Sequence, residues 1–215
     1  MKYLDFRKET DSLPLIREST LPMIWKGITS TQAMRNQLSR WRHKGLLLKL
    51  KRGIYTLTPE ERKLPIDQRV IACELLSPSY ISLEWAISYY GFIPEGVFTI
   101  TLITAQKTQF VKTPIGHFQY RHIKPSLFTG FYQYKNDQGV AYFLATPEKA
   151  LFDFLYLNLD RLKLNDLNAF EENFRFQYMN TLNWNALFAF ADLAKIKKLT
   201  TIVHDLHQWA KENWP

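Results

Sequence analysis

The stretch from Thr29 to Leu57 constrains the fold most, because a helical pattern is followed there directly by a hairpin pattern. The helical part, "TSTQAMRNQLSRWRHKG", has apolar residues at positions i, i+4 and i+7, namely Met34, Leu38 and Trp41. This spacing predicts an amphipathic helix of about four turns with one narrow apolar face. Thr29 and Ser30 are favourable N-caps, and Gly45 suits the position that follows a helix C-terminus.

The second part of the stretch reads as two short strands joined by a tight turn. "LLLKL" is a strand-like run, "KRG" brings Gly53, which can adopt positive φ, and "IYTL" is the returning strand. Upstream, "LDFRKETDSL" predicts a first helix, and "STLPMIW" after Ser19 predicts a short second helix that ends at Lys26-Gly27. The order of helix, short helix, polar helix and basic hairpin predicts a winged helix-turn-helix.

The positive charge of the chain is confined to its first third. The 215 residues carry a net charge of +8, and residues 1–63 hold 14 Lys and Arg against 6 Asp and Glu. Residues 64–215 hold 14 residues of each class and are therefore neutral. Between Glu18 and Glu60 the sequence has no carboxylate, so we expect a strong positive potential around that segment. A neutral body with a basic head is typical of a protein that binds a polyanion.

The polar face of the predicted helix carries the side-chain types that read DNA bases. In the major groove Arg pairs with guanine, and Asn or Gln pairs with adenine. Because the N-terminal part of a recognition helix contacts the bases, we assign that role to Gln32, Arg35, Asn36 and Ser39. The hairpin residues expected to contact phosphates or the minor groove are Lys49, Lys51 and Arg52. The predicted DNA-binding face is completed by Arg40, Arg42, His43 and Lys44.

The segment "TPEERKLPID", from Thr58 to Asp67, is the predicted domain boundary. It holds two prolines and four consecutive charged residues between two apolar patterns. We therefore expect an α+β protein, with a winged helix-turn-helix DNA-binding domain in residues 1–60 and a larger α+β domain in residues 66–215.

The larger region begins with a helical pattern from about Asp67 to Leu76. "YISLEWAISYYG" predicts a second helix, capped near Ser79 and closed by Gly91. Five strand-like runs follow between residues 97 and 145, and their short connections favour an antiparallel sheet.

The last third of the chain is predicted to be mostly helical. "TPEKALFDFLYLN" begins a helix with Thr146 as N-cap, Pro147 at the first helical position and Glu148 beside the positive end of the helix dipole. The pattern from Leu167 onward is also mainly helical, which predicts C-terminal helices behind the sheet.

The sequence shows no arrangement of residues that predicts a catalytic, metal or cofactor site. His117 and His122 would face opposite sides of one strand, and His204 and His207 share a helical face without further ligands. The triplet from Glu61 to Lys63 lies in the predicted linker, and no acidic partner on a nearby strand accompanies it for metal-dependent phosphodiester cleavage. The sequence also has no nucleophile elbow and no glycine-rich phosphate loop.

Cysteine content and hydropathy favour a cytoplasmic protein. The single cysteine, Cys73, lies in an apolar helical pattern and is expected to be a core thiol. No window approaches the roughly 18 uncharged apolar residues of a spanning helix. The N-terminal "MKYLDFRKETD" is charged where a signal peptide would be apolar. We therefore expect a soluble cytoplasmic protein without a membrane partner.

Three segments in the same order resemble the AbiEi family, the antitoxins of type IV toxin-antitoxin systems associated with abortive phage infection. The segments are "LSRWRHKGLLLKLKRGIYTL", "YISLEWAISYYGFIP" and "ATPEKALFDFLYLN", and the resemblance runs from roughly Phe6 to Asn158. It implies an N-terminal winged helix that binds inverted repeats in the promoter of its own operon and represses transcription. It also implies a C-terminal domain that counters a nucleotidyltransferase-like toxin encoded beside it.

Carried over onto this chain, the resemblance places DNA contacts on the polar face from Thr29 to Lys44 and on the wing from Lys49 to Arg52. It places antitoxicity residues near two segments of the larger domain, at Tyr80, Glu84, Tyr89, Tyr90, Thr146, Glu148 and Lys149.

The sequence as a whole thus predicts a non-enzymatic autorepressor and antitoxin whose partners are double-stranded operator DNA and a nucleotidyltransferase-like toxin. Two alternatives stay open. One is a nuclease or modifying enzyme that the winged helix delivers to DNA. The other is a plain transcription factor whose larger domain senses a ligand or a partner protein.

Overall fold

The computed structural model describes residues 2–25, 30–164 and 169–214, and within them the chain is a mixed α+β protein. Two β-sheets are present, one of three strands near the N-terminus and one of six strands in the middle of the chain. Helices follow the second sheet, as the sequence predicts, and among them is the longest described helix, of 17 residues. Among the described residues, no helix combines the length and the hydropathy needed to cross a bilayer.

The first sheet is built from three short strands and accompanied by three helices. Its elements in chain order are α1 (Tyr3–Thr10), β1 (Ile16–Arg17), α2 (Leu21–Ile24), α3 (Thr31–His43), β2 (Leu47–Lys51) and β3 (Ile54–Leu57). The strand order is β1-β3-β2, and both pairings are antiparallel. The register of β2 and β3 shifts between Lys49 and Lys51, next to the turn in which Gly53 has a φ of +73°. The predicted hairpin is therefore present.

Helix α3 forms where its apolar spacing predicts. Ser30 is its N-cap, because the side chain accepts a hydrogen bond from the Ala33 backbone N–H at 3.1 Å. Gly45 follows the helix with a φ of +72°, a conformation that a glycine adopts without strain. The alternative cap Thr29 and the predicted helix end at Lys26-Gly27 lie outside the described residues.

Aromatic rings hold α3 against the rest of the N-terminal region. Trp41 stacks on Trp25 with ring centroids 5.4 Å apart, and its ring centroid lies 4.6 Å from that of Phe6 on α1. With Met34 and Leu38 these side chains form one buried cluster, which fixes one face of α3 and turns the other to solvent. Three neighbouring residues belong instead to the larger core: Leu15, Leu50 and Ile54. The division into domains at residues 60 and 66 stays a prediction.

The six-stranded sheet is mixed, so the expectation of an antiparallel sheet is wrong in part. Its strands are β4 (Ser79–Ile81), β5 (Ile100–Thr104), β6 (Gln109–Thr113), β7 (Gly116–His122), β8 (Phe131–Lys135) and β9 (Ala141–Ala145). The order is β6-β7-β5-β4-β9-β8, with β5 parallel to β7 and β4 parallel to β9. The short connections do form antiparallel hairpins. Because the β6-β7 hairpin folds back onto β5, its second strand runs in the direction of β5.

The expected helix cap at Ser79 is wrong, because residues Ser79–Ile81 form the central strand β4. This strand pairs with β5 on one side and with β9 on the other, which overrides the local helical pattern. Helix α5 starts after it, at Leu83–Tyr89, and Gly91 ends it with a φ of +79°, as expected.

The remaining α-helices contact this sheet or pack on one another. They are α4 (Gln68–Leu75), α6 (Pro147–Leu157), α7 (Trp184–Ala194) and α8 (Lys197–Asn213). Thr146 caps α6 by accepting a hydrogen bond from the Lys149 backbone N–H at 3.2 Å, and Pro147 occupies the first helical position. Helix α4 contacts β4, β5 and β9, and α5 packs on α6, so the sheet and these helices share one large core. Leu167, where the C-terminal helical pattern begins, lies outside the described residues.

Candidate nucleic-acid interface

The solvent-facing side of α3 holds most of the residues expected to contact DNA. Gln32, Arg35, Asn36 and Arg40 are exposed, and Ser39 is half-buried. Exposure continues through the last turn of the helix and beyond it, at Arg42, His43 and Lys44. The structure therefore places seven of these residues on α3 and Lys44 directly after it, with cationic and amide donors exposed to solvent.

Two pairs of side chains on this face are ordered by contacts one turn apart. The Gln32 amide donates to the Asn36 side-chain oxygen at 2.9 Å. The His43 ring nitrogen Nδ1 lies 2.7 Å from the Ser39 backbone oxygen. Side chains held in this way lose less rotamer freedom when they bind a ligand.

Arg35 is joined to a carboxylate that the sequence reasoning did not count as part of this face. Its Nε donates to Oε2 of Glu18 at 2.9 Å, and the Tyr55 hydroxyl donates to Oε1 of Glu18 at 3.2 Å. Glu18 directly follows β1, and its backbone N–H donates to the Gly53 oxygen. Only the pairing of β1 with β3 brings Glu18 to α3, and no spacing in the sequence signals that contact.

The hairpin presents two of its three expected basic residues to solvent. Lys49 and Arg52 are exposed. Lys51 instead turns inward, and its ammonium donates to the Leu75 backbone oxygen at 3.2 Å. Burial, with a smaller contribution from the charge of Arg17, lowers the pKa of Lys51 below its ordinary value. The placement of Lys51 at an accessible wing tip is therefore corrected, because the bulge between Lys49 and Lys51 changes which way the side chain points.

An open cleft of about 620 Å³ lies between the hairpin turn, β1 and the start of α3. Three arginines line it, Arg17, Arg35 and Arg52, together with Glu18. Arg17 is shared with the larger core region, since its guanidinium also donates to the backbone oxygen of Glu74 and lies near the Glu74 carboxylate. The cleft is thus a concave surface beside α3 with three arginines and one carboxylate in its lining.

Two of the residues suggested for antitoxicity meet in the core rather than on the surface. Tyr80 and Lys149 are fully buried, and both bind Asp153. The Tyr80 hydroxyl donates to the Asp153 carboxylate at 3.0 Å, and the Lys149 ammonium forms an ion pair with it. Ser82 donates to the same carboxylate at 2.8 Å. Burial lowers the pKa of Lys149 and raises that of Asp153, since both charged forms lack water. Sequence reasoning missed Asp153, although its i, i+4 spacing from Lys149 was a usable signal.

The other residues suggested for antitoxicity lie nearer the surface. Tyr89 is 53% exposed, Glu84 is half-buried, and the Tyr90 hydroxyl donates to the Ala145 oxygen at 2.7 Å. Thr146 serves as a helix cap, and Oε1 of Glu148 accepts from the Asn183 backbone N–H at 3.0 Å. Of these residues, Tyr89 is the one with a large exposed apolar surface.

His204, His207 and Cys73 take part in side-chain packing. His204 and His207 pack against Phe188 at centroid distances of 4.7 and 5.3 Å, and His207 also lies 4.5 Å from Trp184. Cys73 is buried, as expected, and burial raises the pKa of its thiol to about 12. Within residues 2–25, 30–164 and 169–214, no group of three or more His, Cys, Asp or Glu side chains is arranged to hold a metal ion.

Comparison with known proteins adds no family assignment. No model of a known protein family matches the chain, and no curated protein matches it.

Proposed function

We propose that the chain is a DNA-binding autorepressor and antitoxin whose first 60 residues act as a winged helix-turn-helix. The observation that carries DNA binding is the exposed polar face of α3, which stands beside an exposed basic hairpin in an acid-poor segment. The antitoxin role rests on the resemblance to AbiEi proteins.

The dimensions of α3 suit the major groove. Thirteen residues form a helix of about 20 Å, and the groove admits one α-helix. Arg35 lies in the second turn, where recognition helices contact bases, Asn36 directly follows it, and Gln32 lies one turn before Asn36. With α3 in the major groove, Lys49 and Arg52 of the hairpin would lie at the DNA backbone phosphates beside that groove.

The first prediction separates base contacts from phosphate contacts. We expect Arg35→Ala to weaken binding to the preferred duplex by about 1 to 3 kcal/mol and to relax the preference for one guanine. We expect Lys49→Ala to weaken preferred and scrambled duplexes alike and to lower the salt slope by about one. Fluorescence anisotropy over a salt series from about 50 to about 200 mM, in which phosphate contacts change the affinity strongly, gives both quantities.

The preferred duplex is found by selection from a randomised duplex library with the full chain and is compared with the DNA upstream of the chain's own coding region. Lys211→Ala, an exposed lysine of α8, is the matched control and should leave binding unchanged. Equal affinity of wild type and Arg35→Ala for every duplex would contradict the assignment of α3 to base recognition.

The antitoxin role is tested by co-expression with the product of the adjoining reading frame. Rescue of growth by the wild type and by Arg35→Ala alike would assign neutralisation to the larger region, separate from DNA binding. Tyr89→Ala is the variant to test there, because Tyr89 is exposed, whereas Tyr80 and Lys149 cannot contact a partner from the core. Absence of rescue by the wild type would remove the antitoxin role and leave DNA binding intact.

A further inference from the structure

Glu18 places a carboxylate in the most basic part of the chain. Its side chain is only 16% exposed, and it lines the cleft together with Arg17, Arg35 and Arg52. An acid at this place weakens the attraction of the cleft for a polyanion. The hydrogen bonds of this carboxylate therefore decide what it contributes in return.

The carboxylate of Glu18 is held from two sides. Oε2 accepts from Nε of Arg35 at 2.9 Å, and Oε1 accepts from the Tyr55 hydroxyl at 3.2 Å. Tyr55 is buried on β3, and burial, followed by the charge of Glu18 and the hydrogen bond to it, raises the pKa of the hydroxyl. The hydroxyl therefore stays protonated and keeps donating near neutral pH. The carboxylate is thus fixed to the sheet before Arg35 reaches it.

We propose that Glu18 is a positioning residue that aims Arg35 at a guanine. The inference rests on the proposed DNA-binding function and adds a residue that determines its specificity. Because Glu18 takes the Nε–H of Arg35, the terminal N–H groups on Nη1 and Nη2 stay available, and within the described residues they have no partner. Two parallel N–H donors match the O6 and N7 acceptors of guanine.

The electrostatic and geometric effects of Glu18 have opposite signs, which makes the role measurable. Its negative charge lowers affinity for phosphate, so it weakens binding to every sequence. Its hydrogen bond holds the 51% exposed Arg35 side chain in one rotamer, so it strengthens the contact with the correct base. Glu18 therefore raises the ratio of specific to non-specific affinity rather than the affinity itself.

The experiment is a double-mutant cycle on the full chain with Glu18→Ala, Arg35→Ala and the double variant. Anisotropy gives the specificity ratio, which is the dissociation constant of a scrambled duplex divided by that of the selected duplex. We expect Glu18→Ala to lower this ratio by about tenfold, with scrambled binding unchanged or tighter. In the Arg35→Ala background the same change should leave the ratio unaltered, because Arg35 is the group that Glu18 positions.

Two further variants keep the test decisive if Glu18→Ala is unstable. Glu18→Gln keeps the side-chain shape and one acceptor, and should lower the ratio by a smaller factor. Tyr55→Phe removes the second donor to Glu18 and should act in the same direction as Glu18→Gln.

Two outcomes would overturn the positioning role while leaving DNA binding standing. One is an equal loss in the wild-type and Arg35→Ala backgrounds, which would mean that Glu18 only stabilises the fold. The other is equally tighter binding to both duplexes, which would mean that Glu18 only opposes phosphate. A wild type that binds no duplex would instead remove the proposed function, and the inference with it.

Discussion

At the scale of single residues, Lys149 and Asp153 form an ion pair whose two side chains are fully buried. The Lys149 ammonium lies 4.5 Å from the ring centroid of Phe152 and 5.6 Å from that of Phe190. Aromatic rings therefore pack against the ammonium in addition to the Asp153 carboxylate. Gly130 belongs to the same packing, since a Cβ there would lie 2.6 Å from Phe190. These contacts explain why Lys149 and Tyr80 are core residues of the fold.

Removing one member of the pair should be costly. We expect Asp153→Asn to lower the free energy of unfolding by about 3 to 5 kcal/mol, because it leaves the Lys149 ammonium buried without a counter-charge. Lys149→Met combined with Asp153→Asn should be less destabilised than Asp153→Asn alone, since no charge then remains in the core. Urea denaturation followed by circular dichroism measures both values. A double variant as unstable as Asp153→Asn would show that the carboxylate matters through Tyr80 and Ser82 instead.

At the scale of elements, local sequence patterns predicted the helices and turns that are stabilised by local interactions. The cap, apolar face and end of α3, the β2-β3 hairpin and the start of α6 all depend on residues within a few positions of one another, and the structure confirms them. The mixed sheet could not be predicted in this way, because the pairing of β4 with β9 joins residues more than 60 positions apart. The contacts of Glu18 with Arg35 and of Lys51 with Leu75 depend on the same tertiary arrangement.

The N-cap of α3 provides a test at this scale. Ser30→Ala removes the acceptor of the Ala33 N–H and should lower the free energy of unfolding by about 1 kcal/mol. It should also weaken DNA binding, because Gln32 and Arg35 lie in the first two turns that the cap holds. Ser30→Asn keeps an uncharged acceptor and should restore most of both losses. Thermal unfolding and anisotropy on the same preparations provide the comparison, and full activity of Ser30→Ala would indicate that the cap is dispensable.

At the scale of the whole molecule, the basic head is connected to the neutral body by specific contacts as well as by the chain. Arg17 binds Glu74, Lys51 binds the Leu75 oxygen, and Arg7 and Tyr3 bind Glu61 in the connecting segment. Glu74 and Leu75 belong to α4, which packs on the large sheet. Arg17 also lines the cationic cleft. The same residue therefore contributes charge to the cleft and contacts α4 of the larger region.

The free energy of unfolding of the whole molecule should fall in alkaline solution. The variant Cys73→Ala isolates the part of this loss that the Cys73 thiol causes. Burial raises the pKa of the Cys73 thiol from 9.0 to about 12, so the folded state retains a proton that the unfolded state releases. The stabilisation is complete below pH 9 and is lost as the pH rises from 9 towards 12, with a slope of at most about 1.4 kcal/mol per pH unit. Buried tyrosines such as Tyr80 and Tyr120, whose pKa values burial also raises, add to the loss above pH 10. Urea denaturation from pH 8 to pH 11 should therefore show a shallower decline in the free energy of unfolding for Cys73→Ala than for the wild type. Parallel curves would mean that the folded and unfolded states protonate the thiol equally.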